Sequence, residues 1–413
     1  MLIARLRQIA EDRLGYAVND AVISMPATFN HSQREATKHA VTIAGLDPLR
    51  LIKEPVAATV GSEIDKIEPD GQEIAVISIG RAKAEVCILS RLDDVFELVT
   101  VENCPDLSGD ILDDILLDHC IEQFHQITGH FVQSAPQVIK RLKKAVEKAK
   151  IALSSSLKTT IDLDSLYQGE DFTYTLTREK FEELCNPAFE KFTPILEKSL
   201  KACQKALLDV NVKKVLLMGG STHIPKIAEI ASKFFSSVKP RTIKNSGEHI
   251  AGGAAVLAAF LGGANSKRLE QFLIIDATGM SLGIKAAEGK MAPVVRRSHP
   301  FPCKDQQIFS TFNDNQLSVT IEVYEGEAEM VNENQFVGKF VLNGISPAPK
   351  GVPQIKVAFL LDNFGILSVE AQEETGAQNK IEAVFEKGGF APDEIQQLMD
   401  RNKKILEQMK LED

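Results

Sequence analysis

The sequence lacks the basic charge that nucleic-acid and membrane-surface proteins carry. Its 47 Lys and Arg residues stand against 57 Asp and Glu, which gives a net charge of −10. Such a chain has no positive field to neutralise a phosphate backbone or an anionic lipid surface. We therefore expect neither nucleic acid nor a membrane as a partner.

Paired cysteines and long apolar runs are also missing. The six cysteines lie far apart with no CxxC pair, so no disulfide framework is indicated. No run approaches the roughly 18 apolar residues of a membrane helix. The opening MLIARLRQIAEDRLG predicts an amphipathic helix and lacks the apolar core and cleavage site of a signal peptide. We expect a cytosolic or nuclear protein.

What is present indicates a folded protein of two or three domains. The 413 residues are 44% apolar and 25% charged, which is ordinary for globular proteins. Up to about Leu261, short apolar strands alternate with helical periods, and the spacing predicts one long helix over Pro136–Leu153. This first part of the chain is predicted to be α/β.

After Ala277 the apolar period changes from helical to two. Leu317, Val319, Ile321 and Val323 alternate with polar residues, and turn signals follow at short intervals, which predicts an all-β sandwich. The small and polar GGANSK (262–267) with the apolar RLEQFLIIDA after it predicts an interdomain linker. The resulting domains are 1–265, a linker at 266–276, the sandwich at 277–388, and a helix within 389–413.

Two glycine-containing turns could hold a ligand. In VLLMGGSTHIPK an apolar strand runs into Gly219, Gly220 and Ser221 before a helix, which suits an anionic or nucleoside ligand; a tight connection without ligand is the alternative. In AVISIGRAKAEVCIL two strands flank one glycine and two cations, and the alternatives are a phosphate cradle and a plain hairpin. We predict the hairpin, because side chains at Arg81 and Ala82 oppose the backbone of a phosphate loop.

Several collinear motifs resemble the heat shock protein 70 chaperone family. They are PATFNHSQREATKHA (26–40), LIKEPVAA (51–58), EKAKIALSSS (147–156), MGGSTHIPK (218–226), VYEGE (323–327) and SPAPKGVPQIKV (346–357). The resemblance implies a multidomain α/β plus all-β chain. Its expected parts are a truncated actin-like (ribonuclease H-like) ATPase domain, a hydrophobic linker, a peptide-binding β-sandwich and a short C-terminal helix in place of the lid.

The sequence departs from the family at the phosphates. The first phosphate loop and the catalytic lysine of the family would lie before Met1, so we expect the first quarter of the ATPase domain to be absent. The second loop, an Asp, three glycines and a Thr in the family, reads Ser78, Gly80, Arg81, Ala82 and Lys83 here. Loss of the acid puts Mg²⁺ binding in doubt, and no metal site is assigned.

The resemblance carries over nucleoside contacts for ATP or ADP. The matching positions are Glu147, Lys150, Ser154, Gly219, Gly220 and Ser221, with Gly80 in the phosphate loop. Two arginines that sandwich adenine in the family are replaced by Ile151 and His223. Glu54 matches the catalytic glutamate, and a structural carboxylate at a helix terminus is its alternative.

The peptide pocket of the family maps onto apolar residues throughout. They are Ile284, Phe309, Val319, Ile321 and Ile355, with Ala287 and Phe312 arching over the bound chain. The alternative is that they are ordinary core residues of a sandwich. Clients would be extended or unfolded polypeptides bound by β-augmentation.

Three functional hypotheses remain open at this stage. The first is a chaperone of unfolded polypeptides whose ATP binding and ATP-dependent folding are impaired. The second is an active ATP-hydrolysing chaperone, and the third is an incomplete or decayed gene product. The resemblance also suggests a stress-response protein with J-domain or nucleotide-exchange cochaperones, while the clients and the oligomeric state stay open.

One group of histidines has no predicted role. His119, Cys120, His125 and His130 lie close together in a helical stretch. Spacings of five and six residues do not place the histidines on one helix face for zinc, so no metal site is predicted there.

Overall fold

The fold is given by a computed structural model that describes residues 1–63, 71–93, 95–206, 211–236, 238–264, 272–373, 381–383 and 392–412. The α-helices in these ranges are α1 Leu2–Leu14, α2 His31–Ile43, α3 Glu54–Glu63, α4 Gly109–Thr128, α5 Pro136–Leu153, α6 Arg178–Glu190, α7 Phe192–Ala206, α8 Pro225–Phe234, α9 Ser246–Leu261 and α10 Pro392–Glu412. None of these helices combines the length and apolarity that a membrane crossing requires.

The described residues form seven strands in the first half of the chain and twelve in the second. They are β1 Asp20–Met25, β2 Asp47–Lys53, β3 Gln72–Ile79, β4 Ala84–Leu92, β5 Val95–Asn103, β6 Lys158–Tyr167, β7 Glu170–Thr177, β8 Val212–Met218, β9 Arg241–Thr242, β10 Leu273–Ala277, β11 Leu282–Lys285, β12 Met291–Val295, β13 Pro300–Phe301, β14 Cys303–Phe309, β15 Ser318–Glu325, β16 Gln335–Asn343, β17 Ile355–Leu361, β18 Leu367–Glu373 and β19 Ile381–Ala383.

Contacts divide the chain into two compact units. The first unit contains residues 1–61, 94–98 and 250–413, and the second contains residues 62–93 and 99–249. The domain ranges drawn from the sequence stay predictions beside this division.

The second unit is built on a mixed sheet with helices packed on it. Strand β3 pairs antiparallel with β4 and parallel with β8, which in turn pairs parallel with β9. Its core contains six buried phenylalanines, Phe124, Phe172, Phe181, Phe189, Phe192 and Phe235. The predicted helix over Pro136–Leu153 is confirmed as α5, which starts with its proline at the first turn, where no amide hydrogen is needed.

The first unit contains the region of period-two alternation. That region forms two four-stranded antiparallel sheets, in the orders β12-β11-β15-β16 and β14-β17-β18-β19, around one apolar core. Ile321 and Val323 lie in this core, as the alternation predicts. Leu317 does not: β15 begins one residue later, and the Leu317 side chain is exposed.

The N-terminal segment of the first unit makes buried polar contacts with the sandwich. Helix α2 has a capping box in which the Asn30 and Gln33 side chains each accept from the other's backbone amide. The amide of His31 donates to Glu325 Oε2 (2.8 Å), and His31 Nδ1 accepts from the amide of Leu367 (3.2 Å). Burial, with a smaller contribution from nearby Arg34, lowers the pKa of His31 to about 4, so this imidazole is neutral at pH 7.

The segment predicted as a linker contains a strand, and its role as a linker stays a prediction. Residues 265–271 lie outside the described ranges, but Leu273–Ala277 forms β10 and pairs parallel with Val95, Phe96 and Glu97 of β5. The β-branched residues of this segment favour the extended backbone once a partner strand is available. No local signal in the sequence identifies that partner.

Candidate functional site

The turn between β3 and β4 is a hairpin, as predicted. Ile79 is paired with Ala84 across the turn, and the amide of Gly80 donates to the carbonyl of Lys83 (2.9 Å). That amide is therefore used within the hairpin. Gly80 was predicted as a cofactor contact, yet its backbone is bonded on both sides by protein groups.

The N-terminus of α4 is bonded to this hairpin. The amides of Gly109 and Asp110 donate to the carbonyls of Gly80 (2.9 Å) and Arg81 (2.7 Å), and the next amide in α4 donates to the hydroxyl of Ser108. Amides of this kind bind phosphate at other helix N-termini. Here they already have partners. The Arg81 side chain is exposed and pairs with Asp110 at 3.0 Å.

A cavity of about 570 Å³ lies beside these residues in the second unit. Its volume falls in the range of about 300–1,000 Å³ that is usual for small-molecule sites. It is lined by the hairpin residue Arg81, by Gly109 and Asp113 of α4, by Glu147, Lys150, Ile151, Ser154 and Ser155 at α5, and by Gly220, Ser221, His223 and Ile224 after β8.

Five of the predicted nucleoside contacts line this one cavity. Glu147, Lys150 and Ser154 lie at positions i, i+3 and i+7 of the α5 region, so they share one face. Gly220 and Ser221 reach the cavity from the turn after β8. The structure thus brings together two motifs that are about 70 residues apart in the sequence.

Gly219 has a structural role beside the cavity and does not line it. Its φ of 92° and ψ of 154° belong to a region that only glycine adopts readily. A Cβ there would collide with the carbonyl of Ile79 on the neighbouring strand β3. At Gly220, by contrast, a Cβ would meet open space.

The two positions at which family arginines are replaced also line the cavity. Ile151 lies on α5 and His223 follows the turn after β8. The Ile151 side chain is exposed. This part of the wall therefore offers an aliphatic group and an imidazole in place of two guanidinium planes.

A buried ion pair at the cavity was not predicted from the sequence. Lys150 Nζ lies 2.7 Å from Asp113 Oδ2 and also donates to the carbonyl of Gly109 (3.0 Å). Burial raises the pKa of the Asp113 carboxyl, and this effect outweighs the lowering of the pKa by the Lys150 ammonium. The other oxygen, Asp113 Oδ1, is buried and accepts no hydrogen bond from the described residues. The available signal was an acid at position 113 within the otherwise apolar face of α4.

The residues present fit a nucleoside better than a triphosphate. A cavity of this size, lined by the polar residues Glu147, Lys150 and Ser154, suits a polar ring or ribose hydroxyls. The hairpin and α4 amides that would hold phosphates are bonded to protein carbonyls or to a hydroxyl. Glu54, predicted as catalytic, is the first residue of α3 in the first unit and does not line this cavity, so its role stays a prediction.

A second cavity, of about 370 Å³, lies in the sandwich. All seven predicted peptide contacts line it: Ile284, Ala287, Phe309, Phe312, Val319, Ile321 and Ile355. We call it the sandwich groove. Both sheets contribute, since Ile284 and Ile321 belong to one sheet and Phe309 and Ile355 to the other.

The sandwich groove has a buried floor and an exposed rim. Ile284, Ile321 and Ile355 are at most 5% exposed; they belong to the core and also line the groove, and their contact with a peptide stays a prediction. Phe309 and Val319 are half-buried at the opening, and Phe312 is 73% exposed. A large exposed aromatic beside an apolar cleft is typical of a binding surface.

Hydrogen bonds from backbone amides to side-chain oxygens hold the loop that carries Phe312. The amides of Phe312 and Asn313 both donate to Gln316 Oε1, at 3.1 and 3.2 Å. Asp314 Oδ1 accepts from the amide of Lys350 (2.8 Å), which joins this loop to the next one. The rim is therefore organised before any ligand binds.

The histidines without a predicted role contact aromatic residues. His119 Nε2 lies 2.8 Å from the Tyr174 hydroxyl, and His125 stacks on Phe131. His130 lies edge-on to the ring of Tyr167. These contacts are those of a packed surface cluster.

The two sites together define a class of protein: a mixed α/β unit with a nucleoside-sized cavity, and a β-sandwich with an apolar groove. The family model described as Hsp70 protein matches residues 1–413. The chain belongs to the heat shock 70 family, as the motifs predicted.

Named relatives agree with this assignment. The chain is 40% identical over 402 residues to a heat shock 70 kDa protein of Trichophyton rubrum, covering 97% of this chain and 61% of the relative. It is 38% identical over 415 residues to a heat shock 70 kDa protein of Neurospora crassa, covering 99% and 63%. It is 39% identical over 411 residues to heat shock cognate 70 kDa protein 3 of Dictyostelium discoideum, covering 99% and 65%. The chain thus spans less than two thirds of the length of these relatives.

Proposed function

We propose that this chain is a chaperone that binds extended apolar segments of unfolded polypeptides in the sandwich groove. One observation carries the proposal: seven residues from four separate segments of the chain line a single cavity with an apolar floor and an exposed aromatic rim. A groove of about 370 Å³ accommodates one large aliphatic side chain of a client. The exposed edge of β14 offers backbone groups for strand-like pairing.

The expected affinity is modest. Burying one large apolar side chain contributes about 1.5–3 kcal/mol. With main-chain hydrogen bonds added and the entropy of ordering an extended peptide subtracted, the dissociation constant falls in the micromolar range. Such binding is reversible, as a chaperone requires.

A larger side chain at the opening of the groove tests this proposal, because it blocks the groove and leaves the buried residues of the floor unchanged. We expect Val319→Phe in the full chain to weaken binding of a fluorescein-labelled leucine-rich peptide at least about tenfold, because the half-buried valine lies at the opening. The matched control is Val341→Phe, a half-exposed valine on the neighbouring strand β16 that does not line the groove. Equal affinities of the two variants, measured by fluorescence anisotropy, would refute the proposal.

A second candidate function concerns nucleotides. We propose that the second unit binds adenosine through the α5 face and the turn after β8, and that the triphosphate adds little to this binding. Asp113 Oδ1, which lacks a donor, and the protein-bonded amides of Gly109 and Asp110 support the proposal. When bound, ATP would supply the phosphoryl group for hydrolysis; the chain's own residues would hold its nucleoside.

Comparison of nucleosides and nucleotides tests this candidate. We expect adenosine, ADP and ATP to bind with similar weak affinity in calorimetry, and Mg²⁺ to change none of them. Ile151→Arg, at an exposed wall position, is expected to raise adenosine affinity about tenfold by stacking on the base. Tight Mg²⁺-dependent ATP binding with turnover would instead establish the active ATPase.

The partners, the location and the cellular role of the protein are also predictions. Extended client polypeptides follow from the groove, whereas J-domain and nucleotide-exchange cochaperones rest on family membership. Location in the cytosol or nucleus and a role in the stress response stay predictions. Co-purification of tagged protein from stressed and unstressed cells would test these together.

A further inference from the structure

Three side chains with different metal-binding atoms converge at one end of the sandwich. Within the described residues, His299, Cys303 and Asp305 form the group whose ligand atoms all lie within 4.8 Å of one another. His299 Nε2 and Asp305 Oδ2 are 3.1 Å apart. From this convergence we propose that the chain binds one Zn²⁺ ion between these three residues.

The strand geometry explains why they meet. Cys303 and Asp305 are two residues apart on β14, so they lie on the same face of this edge strand. In register they oppose Leu361 and Phe359 of β17, which belong to the sandwich core. Both side chains are consequently half-buried, and β17 supports them from one side only.

The third ligand is held in place by its backbone. The amide of His299 donates to the Thr278 hydroxyl (3.1 Å), and the carbonyl of His299 accepts from the amide of Thr278 (2.9 Å). Two hydrogen bonds to one residue fix the segment that carries the imidazole. The side chain is therefore positioned over Asp305 before any metal binds, which lowers the entropic cost of coordination.

The combination of donor atoms favours zinc over Mg²⁺ and Ca²⁺. Imidazole nitrogen, thiolate sulfur and carboxylate oxygen are the ligands of zinc, whereas Mg²⁺ and Ca²⁺ require oxygen ligands throughout. Tetrahedral zinc at its usual bond lengths places ligand atoms roughly 3.3–3.8 Å apart. The present separations reach that geometry through small side-chain rotations. Three protein ligands leave a fourth position for water or for a ligand of another molecule.

Cys303 differs from the other cysteines in accessibility. Cys87, Cys104, Cys120, Cys185 and Cys203 are buried, and Cys303 alone of the six is half-exposed. A metal in solution therefore reaches this thiol without unfolding of the chain. An ion here joins the segment before β13 to the edge strand β14, so it stabilises that end of the sandwich.

The experiment uses the full chain, stripped with chelator and reduced, with Zn²⁺ alone as titrant. Calorimetry is expected to give one Zn²⁺ per chain, and saturation is expected to raise the midpoint of thermal unfolding by several degrees. Co²⁺ in its place is expected to give the thiolate charge-transfer band and the visible absorption of tetrahedral cobalt. A large excess of Mg²⁺ is expected to displace neither ion.

Variants identify the ligands. Cys303→Ser, His299→Gln and Asp305→Asn are each expected to weaken Zn²⁺ binding at least about tenfold, and Cys303→Ser to abolish the charge-transfer band. Gln307→Ser, two residues beyond Asp305 on the same face of β14, is the matched control and keeps full binding. The metal-free midpoint of each variant shows whether it remains folded.

Two results would overturn the proposal. One is the absence of stoichiometric Zn²⁺ binding to folded wild-type chain, which leaves His299 and Asp305 as a surface ion pair. The other is binding that Cys303→Ser leaves unchanged. Should a variant fail to fold, the cobalt spectrum of the wild-type chain decides, since only a thiolate ligand produces the charge-transfer band.

Discussion

Among the described residues, each unit has a buried lysine–aspartate pair, and the two pairs differ in what surrounds them. In the first unit Lys53 Nζ lies 2.9 Å from Asp276 Oδ1, with side chains 0% and 5% exposed. In the second unit Lys150 Nζ lies 2.7 Å from Asp113 Oδ2, with side chains 9% and 4% exposed. The distances and burial are nearly equal, so these measures alone would assign both pairs the same role.

The two ion pairs differ in the hydrogen bonds that their side chains make. Lys53 also donates to the carbonyl of Ala277, and Asp276 Oδ1 also accepts from the amide of Ala277, so this pair joins β2 to β10 with protein partners. Asp113 lines a cavity, and its buried Oδ1 accepts no hydrogen bond from the residues that the structure describes. A buried pair with full bonding stabilises a fold, whereas one that borders a cavity with an unused acceptor is also available to a ligand.

The largest expected effect tests the pair in the first unit. Lys53→Met removes the ammonium and leaves the Asp276 carboxylate buried, which costs about 3–4 kcal/mol of unfolding free energy. This value is at the lower end of the range for breaking a buried pair, because the Asp276 carboxylate keeps a second cation nearby, Arg50. Burial lowers the pKa of Arg50, and the charge of Asp276 opposes that lowering. Denaturant unfolding with hydrogen exchange at β2 and β10 measures the cost.

An exposed pair in the same unit supplies the control. Lys38 and Asp362 lie 3.9 Å apart with partly exposed side chains. Lys38→Met is expected to change the unfolding free energy by less than about 1 kcal/mol. The double variant Lys53→Met with Asp276→Leu is expected to recover much of the loss, and failure to do so would mean that the cost comes from packing and not from charge.

The second-largest loss of stability is expected at the turn after β8, beside the Lys150–Asp113 pair. Gly219→Ala is expected to cost about 2–3 kcal/mol, because φ is 92° and the new Cβ would strike the carbonyl of Ile79. Gly220→Ala, the adjacent glycine, is expected to change stability by less than about 1 kcal/mol. Thermal unfolding of both variants provides the measurement, and equal costs would contradict the assignment of Gly219 as the structural glycine.

Sequence reasoning succeeded where residues act together over short distances. The family resemblance assigned Glu147, Lys150 and Ser154 to one site, and the helical repeat of α5 places them on one face. The hairpin at Gly80 followed from its side chains, and the groove residues followed from alternation combined with family resemblance. In each case the signal lies within one element or one motif.

The features that escaped prediction depend on pairing between distant segments. Asp113 meets Lys150 from another helix, and β10 pairs with β5 although about 180 residues separate them. No local propensity specifies such a partner, because the choice is made by burial in the assembled fold. The prediction that Leu317 lies on the buried face was wrong because the ends of strands are uncertain by one or two residues.

Control variants aside, the smallest loss of stability is expected at the second pair, and it distinguishes a structural pair from a site. Lys150→Met is expected to cost about 1–2 kcal/mol, less than Lys53→Met, because removal of the ammonium opens a path for water from the adjoining cavity to the Asp113 carboxylate. The same variant is expected to weaken adenosine binding, which no change at Lys53 does. Calorimetry with adenosine beside denaturant unfolding gives both readouts. If Lys150→Met cost as much as Lys53→Met and left adenosine binding intact, the pair would be purely structural, and the contrast drawn from the unused oxygen of Asp113 would be wrong.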